Sequence, residues 1–174
     1  MRSLHRVALP YLLYPLASVA IAADAPRFEL VAYGVFDDVT TTGRIAAPGS
    51  SDGSIGVVSE YDVARPTVVT DRIPAQTGVR FGYTFVVTNR GTFDSVPVEV
   101  RVTHPPLELP DGGRVTVDNW PMQAQGIPRL TGWRFDHDYE LVPGAWTIAV
   151  LHEGAVVVEK TFCVGAPSER CDAP

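Results

Sequence analysis

From Val79 to Val87 every second residue is apolar, with Val79, Phe81, Tyr83, Phe85 and Val87 on one side and Arg80, Gly82 and Thr84 on the other. Successive side chains of a strand point to opposite faces, so a run like this has one face in a core. Val96, Val98, Val100 and Val102 repeat the pattern, with Glu99, Arg101 and Thr103 turned to water. Beyond the N-terminal segment no stretch carries a 3.6-residue apolar period. Fifteen glycines and 15 prolines break the chain into short segments instead. That combination predicts an all-β domain.

Further strands are expected at Phe28–Phe36, Val57–Tyr61, Thr67–Thr70, Arg114–Val117, Trp133–Phe135, Trp146–Val150 and Val156–Val164. Asp37–Gly56, centred on a Gly/Ser-rich run, and Asp118–Ile127 are expected as loops. His104-Pro105-Pro106 is expected to stop the strand before it, because proline cannot donate to a ladder and restricts its predecessor. In the last strand Val156 and Val158 would share a face with Lys160 and Phe162. A bulge there, or an exposed Lys160 at an edge, would resolve the conflict.

Phe135–Trp146 is predicted to be a corner between sheets. Tyr139 precedes Pro143-Gly144, and Trp146 follows. Proline presets φ, glycine permits a sharp turn, and an aromatic on each side can seal the end of a sandwich. About seven to nine short strands with this corner predict an antiparallel, immunoglobulin-like β-sandwich. No Cys…Trp…Cys spacing of the antibody type is present.

The N-terminus reads as a segment apart. Arg2 and Arg6 precede an apolar run to Ala22, and Ala20-Ile21-Ala22 has the small-x-small form of a signal-peptidase site. Pro10 and Pro15 interrupt the run, which is shorter than the ~20 apolar residues of a spanning helix. The expected organisation is a cleavable signal peptide over 1–22, one sandwich domain over 23–165 and a tail over 166–174. Export to a bacterial periplasm or beyond follows, without membrane insertion after cleavage. Loss of residues 1–22, which hold two arginines and no acids, takes 14 basic and 20 acidic residues to 12 and 20, a net charge of −8. A single lysine, scattered arginines and this charge argue against nucleic-acid binding. Cys163 and Cys171 are the two cysteines. In an exported chain they are expected to form a disulfide that ties the tail to the last strand, worth about 2–3 kcal/mol by loop entropy.

Five separated blocks resemble a bacterial family, domain of unknown function 3859. They are Asp71-Arg72-Ile73-Pro74, Gly78-Val79-Arg80-Phe81-Gly82, His104-Pro105-Pro106, Phe135-Asp136 with Tyr139-Glu140-Leu141-Val142-Pro143-Gly144 and Trp146, and Lys160 with Phe162. The resemblance runs from about Phe28 to Val164 and implies a compact β domain, often exported, with no established activity. It supplies no catalytic residues, and the cysteine pair lies outside its pattern.

Several constellations invite chemistry. Gly49-Ser50-Ser51-Asp52-Gly53 has the letters of a nucleophile elbow but not the strand–turn–helix setting that exposes such a serine. Asp136, Asp138 and Glu140 would project to one side of an extended segment and form a candidate cation site, although Asp136 and Asp138 also suit capping of the corner. His104, His137 and His152 lack the close partner that favours zinc. Trp120, flanked by Pro121, is the candidate for an exposed binding surface, whereas Trp133 alternates with Phe135 toward the core. No cofactor is implied. The favoured reading is a non-enzymatic binding or accessory module acting on an envelope protein or a glycan. A carbohydrate-binding module is the first alternative and a metal-dependent hydrolase the second.

Overall fold

A computed structural model describes residues 25–37, 39, 41–46, 57–61 and 65–165. Residues 1–22 with the expected cleavage at Ala22, the Gly49–Gly53 pentapeptide and the tail with Cys171 lie outside them. In chain order the strands are β1 (Phe28–Val35), β2 (Thr41–Ala46), β3 (Val57–Tyr61), β4 (Arg72–Ile73), β5 (Arg80–Val87), β6 (Val96–Glu108), β7 (Arg114–Ala124), β8 (Arg129–Arg134), β9 (Gly144–His152) and β10 (Ala155–Val164). One 3₁₀ turn, Asp138–Glu140, sits between β8 and β9. No helix among the described residues is long and apolar enough to cross a membrane.

Strands β1-β5-β8 form one antiparallel sheet, and β4-β10-β9-β6-β7 form the other, which is antiparallel except for the parallel pairing of β4 with β10. The β2–β3 hairpin contacts β7 and β8, one edge strand from each sheet. Between the sheets lies a continuous core containing Phe81, Tyr83, Phe85, Val100, Val102, Trp133, Phe135, Trp146, Ile148 and Phe162. The alternation of β5 and β6 therefore delivers the expected sandwich. The chain also crosses between sheets at the expected corner, leaving the small sheet on β8 and entering the large one on β9.

Tyr83 ties the sheets together. Its hydroxyl reaches from β5 to the carbonyls of Ile148 (3.3 Å) and Val158 (3.4 Å) on the facing sheet. Burial, with the Glu159 carboxylate as a smaller contribution, holds this phenol above the usual tyrosine range. The register of β10 on β9 slips between Val156 and Val158, so the expected bulge is present. Lys160 is half-buried, with its ammonium 4.1 Å from the centroid of the Tyr33 ring and 4.0 Å from Asp71 Oδ2.

Four expectations are corrected. Thr41–Ala46 lies within the predicted loop yet forms β2, paired with β3. Thr67–Thr70 contributes only an isolated bridge between Val68 and Val35. His104-Pro105-Pro106 does not end β6. The strand continues to Glu108 with a register shift between Thr103 and Leu107. Pairing with β9 covers Glu99–Thr103, so the prolines fall where β6 has one neighbour left and lose little ladder. Finally, Asp118–Ala124 is not loop but the second half of β7. Pro121 is tolerated there because β7 is an edge strand.

Candidate binding site

The corner is built around Glu140. Its side chain is fully buried, and Oε2 accepts the backbone N–H groups of Asp136 (2.6 Å) and His137 (2.8 Å). Two N–H groups converging on one carboxylate oxygen hold the 3₁₀ turn closed. The residue that caps the corner is therefore Glu140, and Asp136 and Asp138 look elsewhere. Asp136 pairs with Arg134 (3.3 Å), and Asp138 Oδ1 accepts the Thr77 hydroxyl (3.3 Å). The 3₁₀ turn breaks the extended geometry that would have aligned the three carboxylates, so they do not converge. Among the described residues no group of three His, Cys, Asp or Glu side chains could hold a metal ion.

Downstream, Tyr139 stacks on His137 at 5.1 Å, and Pro143 is exposed. Gly144 has φ +139°, and a Cβ there would lie 2.7 Å from Pro105 Cγ, so both conformation and space require glycine. Trp146 is fully buried, donates its indole N–H to the Val142 carbonyl (3.1 Å) and packs edge-on to Phe81 and Phe135.

His104 stacks on Trp146 with ring centroids 4.7 Å apart. Its Nδ1 lies 2.8 Å from the Pro105 carbonyl, an acceptor only, so this nitrogen donates. Its Nε2 lies 2.6 Å from Asp118 Oδ2, with both side chains wholly buried. One proton must occupy that second gap, and whichever partner carries it, the pair as a whole is neutral. The pair is thus held inside the core. His152 is far from it in the fold, on the hairpin end of β9, with Nδ1 against the Pro97 carbonyl (3.0 Å) and its ring against Phe28. The three histidines do not assemble.

Trp120 points into the sandwich, 7% exposed, 6.5 Å from Trp133. The expectation of a loop tryptophan presented to solvent is corrected: its position on β7 alternates with exposed Asn119 and Pro121, which puts it on the core face. Cys163 lies near the end of β10, opposite Ala145, while Cys171 lies outside the described residues.

The outer face of the five-stranded sheet holds a feature that the sequence reading missed. A cavity of about 520 Å³ opens there, bounded by β6, β7 and the β9–β10 hairpin. That volume falls within the ~300–1,000 Å³ of small-ligand sites. Leu151, 4% exposed, lines it, and next along the same face Ala149 is 6% exposed. They stand directly opposite Glu99 and Arg101 of β6, whose apolar stems can lie over them. Glu99 and Arg101 pair with each other at 3.0 Å. One wall is Asn119 and Pro121 of β7, the other the Glu153–Gly154 turn. Among the described residues the polar ends of Asn119 and Glu153 meet no protein partner. One signal for this face was present: Ala149 and Leu151 are apolar at outward positions that alternate with inward Ile148 and Val150, so β9 is apolar on both sides.

The Glu153–Gly154 turn is itself unusual. Both residues have positive φ, 50° and 80°, the signature of a two-residue type I′ hairpin. Asn, Asp or Gly normally occupies the first position. Glu153 is the one non-glycine residue with positive φ among those described.

The fold superposes on the crystal structure of an immunoglobulin-like protein from Pseudomonas aeruginosa with a TM-score of 0.52 and 20% identity, over 82% of this chain and 98% of that one. None of the curated proteins matches the sequence. The sandwich, the corner and the blocks from Asp71 to Phe162 fall within one continuous family match over residues 25–164, and on that match the chain belongs to the family described as Domain of unknown function (DUF3859).

Proposed function

We propose that this chain is an exported, non-catalytic binding module of the bacterial cell envelope and that the cavity outside β6, β7 and β9 is its ligand site. The observation that carries the reading is the cavity itself: an apolar patch at Leu151 flanked by the polar ends of Asn119 and Glu153, which meet no protein partner among the described residues, on the face of the sheet turned away from the core. That composition is the usual one of a recognition site, apolar surface for affinity and a few polar groups for orientation. Export rests on Arg2, Arg6, the apolar run and Ala20-Ile21-Ala22. The polar groups with chemical promise elsewhere, His104, Asp118 and Glu140, are held in bonds inside the fold, a structural use of such residues.

A glycan is the alternative ligand, because Trp120 borders the cavity. Its indole is turned toward the core, which leaves little face for a sugar to stack on. Both ligand classes are separated by one experiment. Tryptophan fluorescence of the full chain is titrated with a panel of peptides and cell-wall oligosaccharides, beside an Asn119→Trp variant that fills the cavity from an exposed position. Saturable binding by one class, abolished in Asn119→Trp, is the expected result. Binding that survives in that variant places the ligand site elsewhere and overturns the reading.

A further inference from the structure

The register of the large sheet turns the cavity into an ordered surface. Across β10, β9, β6 and β7 the outward residues form rows: Thr161, Thr147, Thr103 and Val117; then Glu159, Ala149, Arg101 and Asn119; then Val156, Leu151, Glu99 and Pro121. The hairpin turn adds Glu153 at the end of the cavity. Glu159, Glu99 and Glu153 thus face solvent around a single guanidinium, that of Arg101. Glu99 already neutralises that guanidinium, so the face carries a net excess of carboxylate over an apolar strip at Ala149 and Leu151.

We propose that this face binds a short, extended peptide segment carrying lysine or arginine beside aliphatic residues. The inference rests on the reading of the cavity as the ligand site. Charge complementarity fixes the sign of the ligand, because a carboxylate-rich, partly apolar cleft favours a cation on an aliphatic stem. The rows fix its shape. Successive rows are about 6.6 Å apart, the distance between side chains i and i+2 of an extended chain. A peptide lying along β6 therefore sets alternate side chains on successive rows, and the Asn119 carboxamide can both donate to and accept from its backbone. Glu153 holds the cation at the open end, and the positive φ it adopts there in place of Asn or Gly is accounted for by that contact.

The probes are acetylated, amidated pentapeptides of the pattern Leu-X-Leu-X-Leu with X as Lys, Gln or Glu, and spermidine as a cation with no side-chain spacing. Affinity is measured by calorimetry and tryptophan fluorescence on the full chain at low and high salt. The Lys peptide is expected to bind, and to weaken as salt rises. Glu99→Gln and Glu153→Gln are each expected to weaken it by about three- to fivefold, the scale of an exposed ion pair. Arg101→Gln is expected to tighten it, since a competing cation is removed. Equal affinity for the Gln and Lys peptides, or unchanged affinity in both glutamate variants, overturns the inference, as does spermidine binding as tightly as the Lys peptide. A neutral or acidic ligand whose binding is lost in Asn119→Trp overturns it while leaving the cavity as ligand site. Binding of any probe that Asn119→Trp leaves untouched overturns both.

Discussion

His104 Nε2 and Asp118 Oδ2 meet at 2.6 Å in the core, bridging the bulged half of β6 to the edge strand β7. Fourteen residues separate them in sequence. Each removes the cost of burying the other, so the effect of losing one alone differs from that of losing both. Asp118→Leu is expected to destabilise the fold by about 1–3 kcal/mol, because it takes the Asp118 carboxylate from buried His104 Nε2 and keeps the histidine. A His104→Leu/Asp118→Leu double replacement is expected to cost less than that single change. Urea denaturation followed by tryptophan emission compares the two. A double variant less stable than Asp118→Leu would show that the ring stacked on Trp146 matters more than the pairing.

The corner makes a second prediction. Glu140→Ala leaves the Asp136 and His137 N–H groups without their acceptor, at about 1–3 kcal/mol for each orphaned donor. Glu140→Gln keeps one acceptor oxygen and should lose less. Trp146→Ala should cost about 3–5 kcal/mol, the range for a large aromatic emptied from a packed core. Chemical denaturation midpoints at constant m-value give all three.

These two sites show how much of the molecule was legible in its sequence. Strand β5, and β6 as far as Thr103, could be read directly, because their alternation is uninterrupted there. The corner could be read as a crossing because Pro143, Gly144 and Trp146 each have a local reason to be there. The residue that closes it could not: Asp136 and Asp138 suit a cap by type, whereas the buried carboxylate is one turn further on at Glu140. Strand β7 was hidden by its own exceptions. Asp118 occupies an inward position that pairing with His104 helps make acceptable, and Pro121 occupies a ladder position that an edge strand tolerates. The cavity draws on β6, β7 and β9, so its one sequence trace was the second apolar face at Ala149 and Leu151.

Glu153 is expected to trade stability for position. A left-handed conformation costs a side chain with a Cβ about 1–2 kcal/mol, and glycine's greater freedom when unfolded returns about 0.5–1 of that. Glu153→Gly should therefore stabilise the fold by about 0.5–1 kcal/mol, visible as a raised Tm, while weakening the Lys peptide. A lower Tm would mean that the carboxylate contributes to folding itself.

Export and the expected disulfide are tested together by intact mass. Protein recovered from the periplasm of an expressing bacterium should begin at Ala23. Alkylation should add mass at Cys163 and Cys171 only after reduction. Labelling without reductant would show two free thiols and remove the tie between tail and β10.

The irregularity in β10 has a consequence for length changes as opposed to substitutions. Between Val156 and Val158 the strand takes one residue more than its partner, and the Val158 carbonyl beyond it is held by Tyr83. That extra residue acts as a phase setter. On its far side the strand is clocked to the core through Phe162 and Val164, and on its near side to the hairpin that carries Glu153. Deleting Val157 would rotate one half against the other by a full side-chain alternation, so either the core or the rim of the cavity would be out of step. Substitutions on the outer rows leave that phase intact. In the segment from Gly154 to Val158, the residue count itself is constrained.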